Sequence, residues 1–128
     1  LKGNICITTQ SVRGKFTNKG KTDIEKKNLL KDSKSLEDAG VFAIVLECIE
    51  KNVSKEITAS INVPTIGIGS SNFCDGQILV TDDLLGLTDN KIKFVKKYAD
   101  LKSNVRKAVK KFKLDVKKCS YPSIKYSY

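Results

Sequence analysis

The chain has 128 residues, 40% apolar and 30% charged, enough for one small domain with a buried core. No apolar run approaches the roughly 20 residues that span a bilayer, and no basic-plus-apolar leader opens the sequence. The formal charge is +10 with no histidine, which removes the commonest general base and metal ligand and leaves acid–base work to carboxylates, lysines, tyrosines or thiols.

The sequence opens on Leu1 and contains no methionine, so a piece of a longer or processed chain is expected. Residues 1–7 (LKGNICI) read as a strand end. Residues 8–20 are polar, with Gly14 and Gly20, and read as a loop. Thr22-Asp-Ile-Glu25 is a capping-box pattern, a hydroxyl followed three residues later by a carboxylate. Leu29, Leu30, Leu36 and Ala39 then keep an approximate helical period and Gly40 suits a stop, so a helix is expected over about 23–39.

Residues 41–49 (VFAIVLECI) follow that glycine and lack polar positions for a solvated face. An apolar run of this length bounded by turn signals predicts a strand buried on both faces. Val53, Ile57 and Ile61 recur at i, i+4 and i+8 and predict a helix over about 51–61. Residues 64–69 (PTIGIG) read as a second buried strand, with Gly67 and Gly69 allowing close backbone approach. A polar loop over 70–76, a third strand at 77–81 (QILVT) and a short apolar turn at 84–87 follow. Val105, Ala108, Val109, Phe112 and Val116 predict an amphipathic helix over about 103–118, those residues facing inward. The tail CSYPSIKYSY is aromatic and irregular.

Strands alternating with helices predict an α/β fold with a parallel sheet and right-handed crossovers. Such folds keep their chemistry at the carboxyl ends of the strands. Glu47 stands at that end of the best strand in the chain.

Two further features narrow the possibilities. The whole net charge lies between Lys91 and Lys118, where twelve basic residues meet two acids. RKAVKKFKLDVKK could serve nucleic acid or an acidic surface. No stacking motif accompanies the charge, so the solvated outer face of a helix is the preferred reading. Cys6, Cys48, Cys74 and Cys119 are spaced by 42, 26 and 45 residues, which fits no zinc pattern and suggests reduced structural thiols in a reducing compartment.

LEDAGVFAIVLECI, SKEITASINVPTIGIGSSNFCDGQILVTDDLLGLT and KFVKKYADL closely resemble the C-terminal half of the ketopantoate hydroxymethyltransferases, with TTQSV and YPSIKYSY resembling their counterparts. The most specific stretch is the IPTIGIG-type strand followed by CDGQ-L and a D-LLG-T turn. The resemblance implies the last four or so βα units of a (βα)8 TIM barrel, with the N-terminal half absent. It implies hydroxymethyl transfer from 5,10-methylenetetrahydrofolate to 3-methyl-2-oxobutanoate, giving ketopantoate for pantothenate and coenzyme A synthesis. It also implies a magnesium ion on the keto acid, held by aspartates of the absent half, so that no metal ligand is expected here. A multi-subunit homo-oligomer, a cytoplasmic or organellar location and no membrane or nucleic-acid partner complete the expectation. A chain of this length by itself is expected to be inactive.

The resemblance makes Glu47, in the LEC motif, the catalytic base. A proton beside a ketone is barely acidic in water. A positioned base contributes roughly 10²- to 10⁴-fold, and an apolar wall strengthens a carboxylate as a base. The plainer alternative is a strand-end acid that pairs a lysine. Gly67 and Gly69 are candidates for the pocket mouth. Asn4 stands where the family has a histidine, and can keep a hydrogen bond but carry no proton.

The loop GKFTNKG replaces a sequence close to GGYKVQG, with Phe16 at the tyrosine. Asp82 and Tyr126 stand at two more family histidines. These departures leave a decayed, inactive remnant as the alternative reading. Asp75 in CDGQ is expected to be structural, and Asp82 and Asp83 to open a short helix, where acids suit the positive end of the dipole.

Overall fold

The computed structural model describes residues 2–5, 18–89 and 91–128, and for residues 2–5 the backbone alone. Cys6, Phe16 and residues 8–17 of the loop expected over 8–20 lie outside the described residues. The chain divides into two compact units, Leu1–Leu79 and Val80–Tyr128.

In the first unit four strands, β1 (Lys2–Ile5), β2 (Ala43–Glu47), β3 (Thr65–Ile68) and β4 (Gly76–Gln77), form one sheet. All pairs are parallel and the spatial order is the chain order. Helix α1 (Asp23–Asp38) crosses from β1 to β2, and α2 (Lys51–Ser60) from β2 to β3, the βαβ arrangement expected from the alternating pattern.

Local chemistry sets the ends of α1. Thr22 Oγ1 accepts from the Glu25 amide at 3.2 Å, while the Glu25 carboxylate reaches back to the amides of Gly20 and Lys21 at 3.0 and 3.1 Å. That is the capping box, with the return bonds one and two residues before the cap. These bonds hold the Glu25 carboxyl below the ordinary carboxylate range. At the other end Gly40 adopts φ +76°. Its amide donates to the Glu37 carbonyl at 2.8 Å and the Val41 amide to the Leu36 carbonyl at 3.4 Å, the paired bonds of a Schellman stop.

Strand β2 is buried on both faces from Ala43 to Leu46, as expected of the apolar run. Ile44 and Leu46 are fully buried and form the core with Val41, Ile49, Val53, Ile57, Ile61 and Cys74, against which Leu29, Leu30 and Leu36 of α1 pack. Both helices therefore cover the same face of the sheet. Burial of each large aliphatic contributes about 1.5–3 kcal/mol, so this layer dominates the unit's stability.

The third strand is shorter than expected. Only Gly76–Gln77 pairs with β3, and Ile78 and Val80 are exposed. The ladder ends with the Ile78 amide on the Gly67 carbonyl at 3.0 Å, and Val80 then serves as the cap of the next helix.

The second unit holds α3 (Thr81–Leu84), α4 (Leu101–Lys117) and a 3-10 turn at Ile124–Tyr126. Asp82 and Asp83 occupy the first turn of α3 as expected. Gly86 has φ +68°, and a Cβ there would lie 2.2 Å from the Ala99 carbonyl oxygen, so only glycine fits. The Asp100 carboxylate caps α4 by accepting from the Ser103 amide at 3.2 Å.

Within the described residues the apolar stripe of α4 is left exposed. No residue of the helix is buried, and Val105, Val109, Phe112 and Val116 are 46–60% exposed. The helical period is present, and a stripe becomes a buried face only where another element covers it. Phe112 finds Tyr121 of the tail edge-on at 5.4 Å.

Candidate functional site

The carboxyl end of the sheet is built around the tip of β2. Because Ile44 and Leu46 enter the helix-covered core, Ala43, Val45 and Glu47 belong to the opposite face. The register sets Val45 beside Ile66 and Glu47 beside Ile68, so Glu47 ends a row of aliphatic residues. Glu47 is half-buried while Leu46, Cys48 and Ile49 are almost fully enclosed.

The turn after Glu47 is unusual. Cys48 has φ +52°, the left-handed region that residues bearing a Cβ rarely occupy. Its amide still donates to the Ile68 carbonyl at 3.0 Å. The reversal breaks strand alternation, so Ile49 as well as Leu46 enters the core and Glu47 is left on the other side. The residue before Gly20 and those after β3 close around this tip. Lys19 donates its amide to the Cys48 carbonyl at 3.0 Å and accepts from the Glu50 amide at 2.8 Å. Gly69, at φ +63°, turns the chain away after Ile68.

The two acids of VFAIVLECIE have separate fates. Glu50 is the cap of α2, its carboxylate accepting from the amides of Asn52 and Val53 at 2.8 and 3.1 Å. Among the described residues the ion pairs are Lys26–Glu56, Lys34–Glu37 and Lys102–Asp89. Glu47 is in none of them, so the lysine pairing weighed from the sequence is not found there.

The other candidates are distributed as follows. Asn4 lies on β1 in register with Val45, one row below Glu47 and two strands from Gly69. Gly69 shares the carboxyl end with Glu47. Gly67 lies on the helix-covered side, where a Cβ would meet the Gln77 amide at 2.9 Å and Cys74 Sγ at 3.2 Å. The close approach expected at Gly67 is thus made by the protein's own side chains.

Asp75 is structural. Its carboxylate accepts from the Thr65 amide at 2.8 Å and the Thr65 hydroxyl at 3.0 Å, tying the return to β4 to the start of β3. Tyr126 sits in the tail's 3-10 turn and is exposed.

A chain of hydroxyls went unread in the sequence. Thr65 Oγ1 lies 2.9 Å from Thr58 Oγ1, Thr58 donates to the Ser54 carbonyl at 2.9 Å, and Ser54 Oγ lies 3.3 Å from Ser70 Oγ. Ser54 and Thr58 are four apart on α2, beside the apolar positions Val53 and Ile57. That polar i, i+4 pair was the available signal.

Among the described residues no group of three or more His, Cys, Asp or Glu could hold a metal ion. None of the described helices is long and apolar enough to cross a membrane.

The sequence profile of the ketopantoate hydroxymethyltransferases matches residues 1–124. Over 128 residues the chain is 52% identical to a 3-methyl-2-oxobutanoate hydroxymethyltransferase of Pelagibacter ubique (strain HTCC1062), covering all of this chain and 49% of that protein. Proteins of the same name from Clostridium botulinum (strain Alaska E43 / Type E3) and Thermotoga maritima are 48% and 46% identical over 131 residues, again covering all of this chain and 48% of each relative. The chain spans about half the length of the curated relatives it matches.

Proposed function

The chain belongs to the ketopantoate hydroxymethyltransferase family, and we propose that it contributes the general base of that reaction, Glu47, to a (βα)8 barrel of which these four strands are part. The barrel reading is supported by strands in chain order with both crossover helices on one face. A doubly wound sheet would split its helices between two faces. Half the length of the relatives and half of eight strands also agree. The open edges of β1 and β4 would then pair with further strands, which removes the exposed ladder groups of an isolated half.

In this reading the substrate is 3-methyl-2-oxobutanoate, which lies against the aliphatic row ending at Glu47. The carboxylate takes the proton from C3. The electron pair released delocalises onto the 2-keto oxygen, water releases the one-carbon unit of 5,10-methylenetetrahydrofolate as formaldehyde with tetrahydrofolate leaving, and C3 of the enolate adds to that carbonyl carbon, whose oxygen takes up a proton. Ketopantoate is the product, for pantothenate synthesis in the cytoplasm. Val45, Ile66 and Ile68 would form the apolar wall beside the carboxylate. Magnesium, when bound, would stabilise the charge developing on the keto oxygen, with ligands that the family resemblance puts outside these residues.

The single observation that carries the assignment is the isolation of Glu47. It is an acid at the carboxyl end of a buried parallel strand, on the face away from the helices, and it neither caps a helix nor joins an ion pair among the described residues. The test is ketopantoate formation by the full-length protein supplied with both substrates and magnesium. Activity in the wild type and its loss in Glu47→Gln is the expected result. A full-length protein that folds and makes no ketopantoate would favour the decayed remnant.

A further inference from the structure

The left-handed turn at Cys48 raises the question of what holds it. A buried, non-glycine residue at φ +52° is strained and persists only when its surroundings fix it. Beside the backbone bonds of Cys48 to Lys19 and Ile68, a side-chain clamp comes from the loop after β3. Ser70 Oγ accepts from the Ile49 amide at 3.0 Å and lies 3.4 Å from the Ile49 carbonyl oxygen. Behind it Ser54, fully buried, brings its own Oγ to 3.3 Å from Ser70 Oγ and donates to the Glu50 carbonyl at 3.0 Å. The Ile49 amide has left the strand ladder because of the turn, and the Ser70 hydroxyl is the partner that replaces it.

We infer that Ser70 is a positioning residue: by holding the Ile49 amide it fixes the turn at Cys48 and with it the direction in which Glu47 leaves the strand. This role rests on the reading of Glu47 as the base. Ser70 touches no reacting atom in it. Loss of the hydroxyl removes this partner from the Ile49 amide, and the turn, still held at Cys48 by the Lys19 and Ile68 backbone bonds, is less firmly fixed. A misplacement of the base by even 1 Å lowers the rate steeply.

The test uses the full-length protein and two readouts, amide hydrogen exchange at Ile49 and deuterium exchange at C3 of 3-methyl-2-oxobutanoate. Ser70→Ala is expected to speed exchange of the Ile49 amide about fivefold, the loss of one ordinary hydrogen bond. It is expected to lower kcat for C3 exchange about tenfold with KM changed less than twofold. Ser70→Thr, which keeps the hydroxyl, is expected to restore both to within about threefold of wild type.

An unchanged Ile49 amide, or a Ser70→Ala protein with wild-type kcat, would overturn the inference. So would a Thr variant as impaired as the Ala variant. If Ser70→Ala does not fold, Ser54→Ala decides: kcat lowered at constant KM supports the clamp, and unchanged kcat overturns it. Failure of the base assignment registers separately. In that case Glu47→Gln keeps the wild-type rate, ending the catalytic role of Ser70, while the Ile49 amide still reports whether the clamp exists.

Discussion

The Asp75 carboxylate accepts both the amide and the hydroxyl of Thr65, at 2.8 and 3.0 Å. A connection of seven residues, 69–75, joins two parallel strands here, where such crossovers usually take a dozen or more. The side-chain bonds fasten the end of this short return to the start of β3.

Those bonds hold the Asp75 carboxyl below the ordinary carboxylate range, the Thr65 amide being the largest cause. A carboxyl whose folded pKa is depressed contributes stability that is complete above the unfolded value near 4. That contribution is lost as pH falls through the folded value. Asp75→Asn is therefore expected to lower the urea midpoint at neutral pH and to flatten its decline below about pH 4. Urea titrations between pH 2.5 and 7 check this, and a variant with an unchanged pH profile would remove the linkage.

Gly86 meets two constraints at once, φ +68° and a Cβ position 2.2 Å from the Ala99 carbonyl oxygen. Gly86→Ala is expected to destabilise the second unit by about 2 kcal/mol or more, from left-handed strain and overlap together. Chemical denaturation followed by a probe in that unit reads the loss.

The stop of α4 uses the geometry of the stop of α1 with the wrong residue. The Ser120 amide reaches the Asp115 carbonyl at 2.9 Å and the Cys119 amide the Val116 carbonyl at 3.1 Å, with Cys119 exposed at φ +53°. Cys119→Gly is expected to stabilise the protein by about 1 kcal/mol. A lower thermal midpoint in that variant would contradict the strain.

Ile57 is fully buried between α2 and the sheet. Ile57→Ala is expected to cost about 2–5 kcal/mol, a large share of a typical total of about 5–15 kcal/mol. Equilibrium unfolding of the full-length variant measures it.

Helices and strands with strong local signals could be read in advance. Thr22, Glu25 and Gly40 fixed α1 by themselves, and the run 41–49 announced β2, because caps and periodicity act over a few residues. The extent of β4 could not be read, since QILVT has strand composition and only pairing with Gly67 decides where it ends. What covers α4 could not be read for the same reason: the period of Val105, Val109, Phe112 and Val116 is local, but cover is not. At the site, Glu47 stood out as an acid in an apolar run. Ser70 did not, because its partner is the Ile49 amide, and that amide leaves the ladder only through a turn at Cys48 that no residue type foretells.

Deuterium exchange at C3 of 3-methyl-2-oxobutanoate, followed by proton NMR in the full-length protein without folate, isolates the proton transfer assigned to Glu47. Glu47→Gln, with the circular dichroism and thermal midpoint of the wild type, is predicted to lower the exchange rate by roughly 10²- to 10⁴-fold. Exchange at the wild-type rate in that folded variant would contradict the assignment of Glu47 as the base.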